Sequence, residues 1–389
     1  MSDDRPPTHV FSDYVEITYL VVLFVVGAPV NLAACQQLSN LDQSRNNYNK
    51  LHLLKRHLNL CDLSVIFLFI PSKLCWIITY SWQGGDFLCR LIKFLQTFAF
   101  QSSSNVIVCI AVDRLMSVIC PIQMSRKRGI LRVKVLLAIA WSLSGLVTLP
   151  QLFIWQVFEP YPSWPQCTQI WTINRYVQAI ELTKLMDVNS SNSSEFNLDS
   201  WPLEEMYQVF HLLMIFWVPA TFIVACYAVV SLWVFRTSQY PNERKRSAYK
   251  YSLGSIRSTV HSYFPSQAVQ KESIFRKITG PSNVTNELTT RMVTFNTDEQ
   301  DEERRVNIGR VRRRVRRNAV RISFLLVAAY VICWLPYNCM ALWKLIDPKS
   351  YKANDEKYYF LHALIVFNSV INPFLYGTFG NVQRFARNG

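Results

Sequence analysis

The sequence is short of charged residues and lacks the signatures of several protein classes. Asp, Glu, Lys and Arg make up 17% of the 389 residues, against about 25% in an average soluble domain. We find no nucleophile-elbow or His-Glu-x-x-His pattern, and the six His are scattered, which argues against an enzyme. We find no internal or inverted repeat, which argues against a membrane transporter and leaves that class as a remote alternative.

Apolar residues dominate instead. Hydrophobic residues make up 50% of the chain and aromatic residues 14%. They fall in runs of about 20 residues, the length that crosses roughly 30 Å of hydrocarbon. Seven such runs predict membrane-spanning helices, at 14–38, 51–80, 86–119, 133–155, 204–235, 319–345 and 357–379. The predicted fold class is an all-α membrane protein, a bundle of seven transmembrane helices.

The positive charge of the chain is concentrated. The formal net charge is +15, and segment 236–317 alone holds 18 Lys or Arg residues and 8 Asp or Glu residues. Smaller basic groups at 50–56 and 126–128 fall on the same side of the membrane if the helices alternate. This positive-inside pattern predicts an extracellular segment 1–13 and a cytoplasmic loop 237–318. It also argues against a nucleic-acid partner, since no aromatic and basic platform accompanies the charge.

The segments outside the predicted spans differ in composition, and each composition supports a different prediction. Segment 1–13 has no basic region followed by an apolar stretch, so we expect the first span to act as its own insertion signal. Loop 237–318 is polar and rich in Ser and Thr, which is typical of a disordered segment. The outer loop between the fourth and fifth predicted spans holds Asn-Ser-Ser sequons at Asn189 and Asn192. We predict that both are glycosylated.

The ten Cys residues divide into two groups. Eight lie in apolar runs or at their ends, where Cys behaves as a small hydrophobic residue. Cys89 and Cys167 lie instead in polar flanks on the predicted outer side. They are candidates for a disulfide in an oxidising compartment.

Asp62 is an ionisable residue in the middle of the second predicted span, where a charge is costly and therefore a functional candidate. Its own helix face offers no Lys or Arg. The polar residues at similar depth in other spans are Asn31, Ser103, Asn368 and Asn372. Two interpretations stay open, a site for a hydrated cation and a purely structural hydrogen-bond network.

A second polar group is predicted at the inner ends of the spans. It comprises Asp113 and Arg114 in the third span, Tyr227 in the fifth and Tyr376 in the seventh. A charged pair at this depth can be ordinary snorkelling, in which a long side chain reaches out to the interface. The two Tyr hydroxyls favour a cluster that switches between two packed arrangements.

Proline interrupts the fifth, sixth and seventh predicted spans, at Pro219, Pro336 and Pro373. Each proline removes a backbone donor and permits a kink or a hinge. Trp334 lies two residues before Pro336, where a bulky ring is placed to respond to ligand entry. Plain packing is the alternative role for this ring.

These residues resemble the signatures of the rhodopsin-like (class A) G protein-coupled receptors. Each predicted span carries its own signature, and the resemblance covers nearly all of the chain outside the N-terminus and the third cytoplasmic loop. The matching residues are Asn31, Asp62, Asp113, Arg114, Trp141, Pro219, Cys333, Trp334, Leu335, Pro336, Asn372, Pro373, Phe374, Leu375 and Tyr376. Any one motif is weak, but seven in order at the right depth are specific.

The resemblance implies a plasma-membrane receptor domain at 14–380 and a short amphipathic eighth helix in the stub 381–389. It implies a disulfide between Cys89 and Cys167, and a heterotrimeric G protein, arrestin, a receptor kinase and membrane lipids as partners. No cofactor is implied beyond an allosteric sodium ion, with Asp62, Ser103, Asn368 and Asn372 as its candidate ligands. The residues implied in switching and G protein coupling are Asp113, Arg114, Ile122, Tyr227, Trp334, Asn372, Pro373 and Tyr376.

Two positions depart from the family pattern. Leu115 stands where the family usually has Tyr, and Tyr330 where it usually has Phe. Both positions touch the switch in the family, so we expect unusual basal activity.

The resemblance also bears on the ligand. Gln96 stands where amine receptors have a carboxylate, and Val366 stands where opsins have the Lys that binds retinal. The sequence therefore argues against an amine ligand and against retinal. The residues predicted to bind the ligand are Lys73, Lys93, Gln96, Gln208, His211, Tyr337, Asn338, Asp355, Tyr358 and His362. Amide and Tyr groups suit a peptide backbone, although most residues lining such a site carry little of the binding energy. For Asp355, surface solvation is the competing role.

Within class A, the chain is most similar to the gonadotropin-releasing hormone, adipokinetic hormone and corazonin receptors. The stretches that carry this similarity are 82–90, 102–114, 333–343 and 375–379. The expectation is a receptor for a small neuropeptide hormone, with a vasopressin/oxytocin-like or unrelated neuropeptide as the alternative. Ile122 in the second inner loop favours q-class G protein coupling.

Overall fold

The computed structural model of the chain describes residues 6–43, 50–119, 126–188, 202–239, 321 and 324–377. Ile122, the sequons at Asn189 and Asn192, nearly all of the predicted loop 237–318 and the predicted eighth helix lie outside these residues. The chain divides into two compact units, one formed by Met1–Val230 and Val320–Gly389 and the other by Ser231–Ala319. Of the second unit, the structure describes residues 231–239, which are the end of a helix. The functional site described below lies in the first unit.

Long helices occupy the predicted spans. The first span is Phe11–Gln43, the third Gly85–Ile119 and the fourth Arg126–Thr148, which the short helix Gln151–Ile154 follows. The sixth span is Phe324–Ile346. The seventh consists of a 3₁₀ turn, Tyr359–Leu364, and the helix Ile365–Gly377, and the helix Pro348–Tyr358 precedes it.

The second and fifth spans are each interrupted by a π-helical turn. The second comprises Lys50–Ser64, the π turn Val65–Phe69 and Ile70–Thr79. The fifth comprises Pro202–Leu212, the π turn Leu213–Trp217 and Val218–Gln239. A proline follows each turn by two residues, Pro71 and Pro219, and proline cannot donate to the carbonyl four residues before it. Each π turn therefore lies beside a proline, which leaves one helical carbonyl without its usual donor.

Six described helices are long and apolar enough to cross a membrane, and a shorter apolar helix, Phe360–Leu375, occupies the seventh position. The third span lies at the centre, because 72% of its most apolar window is buried, against 28% for the first and fourth. The apolar side chains exposed on the outer spans would face lipid.

Buried amides join the first, second and seventh spans. Asn31 Nδ2 donates to the carbonyls of Gly27, at 3.0 Å, and Ser369, at 3.2 Å. Asn59 Nδ2 in turn donates to Asn31 Oδ1 at 3.1 Å. The spans approach closely here, since a Cβ on Gly27 would lie 2.8 Å from Val370 Cγ2.

The loop between the fourth and fifth spans holds more structure than the sequence predicts. An antiparallel hairpin, Trp155–Tyr161 and Trp164–Gln169, is followed by the helix Ile170–Val188, which we call the loop helix. The hairpin is bound to the third span by the Cys89–Cys167 disulfide, which confirms the predicted pairing. Val157 N also donates to Asp86 Oδ1 at 2.9 Å. We call this end of the bundle the disulfide end.

Candidate functional site

A cavity of about 410 Å³ opens at the disulfide end. Its wall is contributed by the first, second, third, fifth, sixth and seventh spans, with Gln151, Trp155 and Gln169 from the loop after the fourth span. Four Gln and three Tyr side chains give the wall many uncharged hydrogen-bonding groups. The residues predicted to bind ligand that line this cavity are Lys73, Lys93, Gln96, Gln208, His211, Tyr337 and His362.

Three of the residues predicted to bind ligand are not among those that line the cavity. Asn338 is fully buried, and its Nδ2 donates to the carbonyl of Trp334 at 2.9 Å. Tyr358 is 43% exposed and its ring packs against Trp343. Asp355 lies in the helix Pro348–Tyr358, and its side chain is not among those that the structure describes.

The cavity wall also contains residues that the sequence did not single out. Glu16 of the first span is 2% exposed, and its Oε1 lies 3.6 Å from Lys73 Nζ. An acid near the start of an apolar run looks like a solvated flank, so nothing local identified it. Tyr207 lines the fifth-span side, where its hydroxyl accepts a hydrogen bond from Gln151 Nε2 at 2.6 Å.

Polar contacts fix several wall residues in place. Gln96 Nε2 donates to Ser72 Oγ at 2.8 Å. The loop helix is joined to the fifth span by an ion pair between Arg175 and Glu204. The other oxygen of Glu204, Oε1, accepts from Gln208 Nε2 at 2.9 Å, so this pair connects the loop helix to a cavity residue.

Trp334 forms part of the cavity wall and belongs to an aromatic cluster in the core. It is 1% exposed, and its ring centroid lies 5.7 Å from that of Phe100 and 6.4 Å from that of Phe216. Tyr337, another wall residue, makes an edge contact at 6.2 Å. A ligand that displaces Trp334 must therefore rearrange rings on the third, fifth and sixth spans.

Beside this cluster lies a set of buried polar groups that we call the Tyr330 layer: Gln101, Ser104, Tyr330 and the carbonyls of Met214 and Ile215. The Ile215 carbonyl is the one that Pro219 cannot serve, and it accepts hydrogen bonds from Ser104 Oγ at 3.0 Å and Tyr330 at 3.1 Å. Gln101 Nε2 donates to the Met214 carbonyl at 2.9 Å. The Tyr hydroxyl, which the usual Phe lacks, thus ties the sixth span to the fifth.

The four residues predicted as sodium ligands, Asp62, Ser103, Asn368 and Asn372, are all buried, and we call them the Asp62 layer. Asp62 is fully buried, and its two oxygens accept from Asn372 Nδ2 at 3.0 and 3.2 Å. Ser103 Oγ, Asn368 Oδ1 and Asn372 Oδ1 are buried without a hydrogen-bond partner. A carboxylate with spare hydroxyl and amide oxygens is a donor set that fits a small hard cation.

Arg114 lies at the opposite end of the third span, where it forms an ion pair with Asp113. Both residues are buried, with exposed fractions of 7% and 4%. Lys50 of the second span, which the sequence placed only in a basic group, binds the other oxygen of Asp113 at 2.7 Å. Lys50 also donates to Ser117 Oγ at 2.7 Å. Asp113 therefore joins two cations from two spans.

The remaining residues of the predicted switch are only partly described. Tyr227 is buried and makes an edge contact with Phe324 at 6.3 Å between ring centroids. Pro373 lies inside the helix Ile365–Gly377. The structure does not describe the side chain of Tyr376 or any part of Ile122.

The fold and the site together define a class of protein. A bundle of membrane-crossing helices has a polar cavity at one end and a buried Arg–Asp pair at the other, joined by a core of rings and hydrogen bonds. This arrangement can bind a ligand on one side of a membrane and change its packing on the other, which is what a membrane receptor does.

A model of the family "7 transmembrane receptor (rhodopsin family)" matches residues 30–376, and the chain belongs to this family. The predicted resemblance to class A G protein-coupled receptors is thus confirmed. The chain is a multi-pass plasma-membrane receptor and not an enzyme.

The chain is similar to several curated receptors, of which three are given. It is 38% identical to the G-protein coupled receptor daf-38 of Caenorhabditis elegans, over 96% of this chain and 91% of that protein. It is 26% identical to the gonadotropin-releasing hormone II receptor of Callithrix jacchus, over 96% of this chain and 77% of that protein. It is 25% identical to the human vasopressin V1b receptor, over 94% of this chain and 73% of that protein.

Proposed function

We propose that the chain is a receptor for a small neuropeptide hormone of the gonadotropin-releasing or adipokinetic type. The observation that carries this proposal is the cavity of about 410 Å³ with its Gln and Tyr side chains. Such groups donate and accept hydrogen bonds without fixed charge, which matches the alternating donors and acceptors of a peptide backbone. The names of two relatives, a gonadotropin-releasing hormone II receptor and a vasopressin V1b receptor, support the peptide class.

The proposed orientation places the N-terminus and the cavity outside the cell. The basic segments at 50–56, 126–128 and 236–317 favour the opposite side as cytoplasmic. His9, next to the N-terminal end of the first span, bonds through Nε2 to the Ile77 carbonyl at 2.9 Å, close to the hairpin that carries the disulfide. A peptide arriving from outside would thus meet the cavity first.

In the proposed mechanism, the peptide favours the active arrangement because it binds that arrangement more tightly. Contacts at the cavity would move Trp334 and, through the aromatic cluster, the sixth span. At the other end Arg114 would leave Asp113 and meet the C-terminal helix of a heterotrimeric G protein. We propose a q-class G protein, with arrestin and a receptor kinase as further partners.

A vasopressin/oxytocin-like peptide is the second candidate ligand. The identities to the gonadotropin-releasing hormone II receptor and the vasopressin V1b receptor, 26% and 25%, do not separate the two. We also propose that the Asp62 layer holds a sodium ion, since its spare buried oxygens fit one. The ion would supply a positive charge that balances Asp62.

The proposal is tested by expressing the chain in cells and applying gonadotropin-releasing, adipokinetic and vasopressin-type peptides while intracellular calcium is read. We expect one peptide type to evoke calcium release in wild type. We expect Arg114→Ala to retain peptide binding and lose the response, because the coupling cation is gone. Silence from all peptides with confirmed surface expression would reject the ligand class, and a change in cyclic AMP without calcium would reject q-class coupling.

A further inference from the structure

The charges on the cavity wall are unbalanced. Among the described residues that line the cavity, Lys73, Lys93 and Lys344 face a single carboxylate, Glu16. Glu16 pairs with Lys73, at 3.6 Å between Oε1 and Nζ. Lys344 is exposed, so water screens its charge. The positive charge that remains to be compensated is that of Lys93.

Lys93 is held between two Trp rings. Its Nζ lies 4.4 Å from the ring centroid of Trp76 and 4.4 Å from that of Trp155. No Asp or Glu side chain of the described part of the chain lies within 4.0 Å of this ammonium. Ring faces attract a cation but carry no net charge, and they replace only part of the hydration that an ammonium loses on burial.

The two rings are themselves fixed by hydrogen bonds. Trp76 Nε1 donates to Gln166 Oε1 at 3.1 Å, and Trp155 Nε1 donates to Gln151 Oε1 at 2.5 Å. Trp155 of the hairpin therefore contacts the ammonium on one side, and Trp76 of the second span contacts it on the other. Lys93 and Trp155 both line the cavity, so a ligand bound there lies beside this pair. The result is a positioned cation at the cavity wall.

We propose that Lys93, held between Trp76 and Trp155, binds an anionic group of the ligand, a carboxylate or a sulfate. This rests on the proposed function, in which the cavity holds the ligand, and adds the charge that the ligand must carry. The neighbouring rings favour an anion attached to an apolar or aromatic group, since that group packs against Trp155. A neutral amide at the same position leaves the ammonium uncompensated.

The test uses the purified full chain in a neutral detergent and measures its thermal melting midpoint. The probes are 3-phenylpropionate and its uncharged amide, 3-phenylpropionamide, at matched concentration, pH and ionic strength. We expect the carboxylate to raise the midpoint of wild type by about 3 °C and the amide to leave it unchanged.

Four variants localise the effect. Lys93→Gln should lose the carboxylate effect, with Lys93→Met as a second neutral variant should the first not fold. Lys93→Arg keeps the charge and should keep most of the effect. Lys134→Gln changes an exposed Lys of the fourth span and should behave as wild type.

Equal effects of acid and amide, no effect of the acid on wild type, or a full acid effect in the neutral Lys93 variants would each overturn the proposal. The assay contains neither a peptide nor a G protein, so it separates the two proposals. A silent peptide screen with a Lys93-dependent carboxylate effect would reject only the peptide assignment. Active peptides together with no carboxylate effect would reject only the anion site.

Discussion

The Tyr330 layer and the Asp62 layer are two buried polar regions of one bundle, and they differ in how their hydrogen bonds are used. In the first, Ser104, Tyr330 and Gln101 all bond to carbonyls of the fifth span. In the second, Ser103, Asn368 and Asn372 each keep a buried oxygen without a partner. Buried polar atoms are nearly always paired, so the second layer calls for an explanation that the first does not.

The difference teaches which region is fixed and which can respond. A satisfied network joins the third, fifth and sixth spans and resists their separation. Buried oxygens without a hydrogen-bond partner are costly, and an ion or a water molecule lowers that cost. The Tyr330 layer therefore opposes movement of the sixth span, and we propose that the Asp62 layer is where a bound ion changes the stability of the fold.

The largest expected effect is a change in the thermal melting midpoint that depends on Asp62. If the layer binds sodium, saturating NaCl should raise the melting midpoint of wild type by about 5 °C relative to choline chloride at equal ionic strength. Asp62→Asn keeps an acceptor for Asn372 but removes the charge, so the sodium effect should disappear. An equal sodium effect in wild type and variant would show that the two layers do not differ in this way.

Ser103 and Ser104 are adjacent residues that belong to different layers, and they form a matched pair. Ser104→Ala removes hydroxyl contacts at 2.9 and 3.0 Å and should lower the free energy of unfolding by about 1.5 kcal/mol. Ser103→Ala removes a hydroxyl without a partner and should change it by less than about 0.5 kcal/mol in sodium-free buffer. Chemical denaturation of both variants measures these changes. Equal losses of unfolding free energy in the two variants would contradict the difference between the two layers.

A smaller effect is expected at Tyr330. Tyr330→Phe removes one hydroxyl and should lower the free energy of unfolding by about 1 kcal/mol, since Ser104 still serves the Ile215 carbonyl. It should also raise signalling without ligand, because the sixth span is held less firmly. Tyr19→Phe is the control, since the Tyr19 hydroxyl is buried without a partner. Identical behaviour of the two variants in denaturation and basal signalling would contradict the assigned role.

Much of the fold follows from patterns in the sequence. Apolar runs of membrane length gave the seven spans, and the polar flanks of Cys89 and Cys167 marked the two Cys that form the disulfide. The depth of Asp62 within the second span identified it as an ionisable residue among apolar ones, and it is buried. These features depend on local composition, which the sequence displays directly. Arg114 was predicted at the inner end of the third span with snorkelling as the alternative, and its burial was not predicted.

The rest depends on tertiary contacts. The π turn Leu213–Trp217 places its carbonyls toward Ser104 and Tyr330, and no local pattern shows where a freed carbonyl will find a donor. The loop helix was hidden because its polar surroundings resemble an irregular loop. Glu16 and Lys50 gained their partners from other spans, so each looked like an ordinary flanking charge.

The central claim is that a peptide in the cavity is coupled to Arg114 at the other end of the bundle. It is tested most directly by measuring peptide binding and calcium release on the same cells for wild type, Gln96→Leu and Arg114→Ala. We predict that Gln96→Leu weakens binding and raises the half-maximal concentration by about tenfold with an unchanged maximum. Arg114→Ala should leave binding intact and abolish the maximum. Unchanged binding in Gln96→Leu, or a full response in Arg114→Ala, would contradict the account.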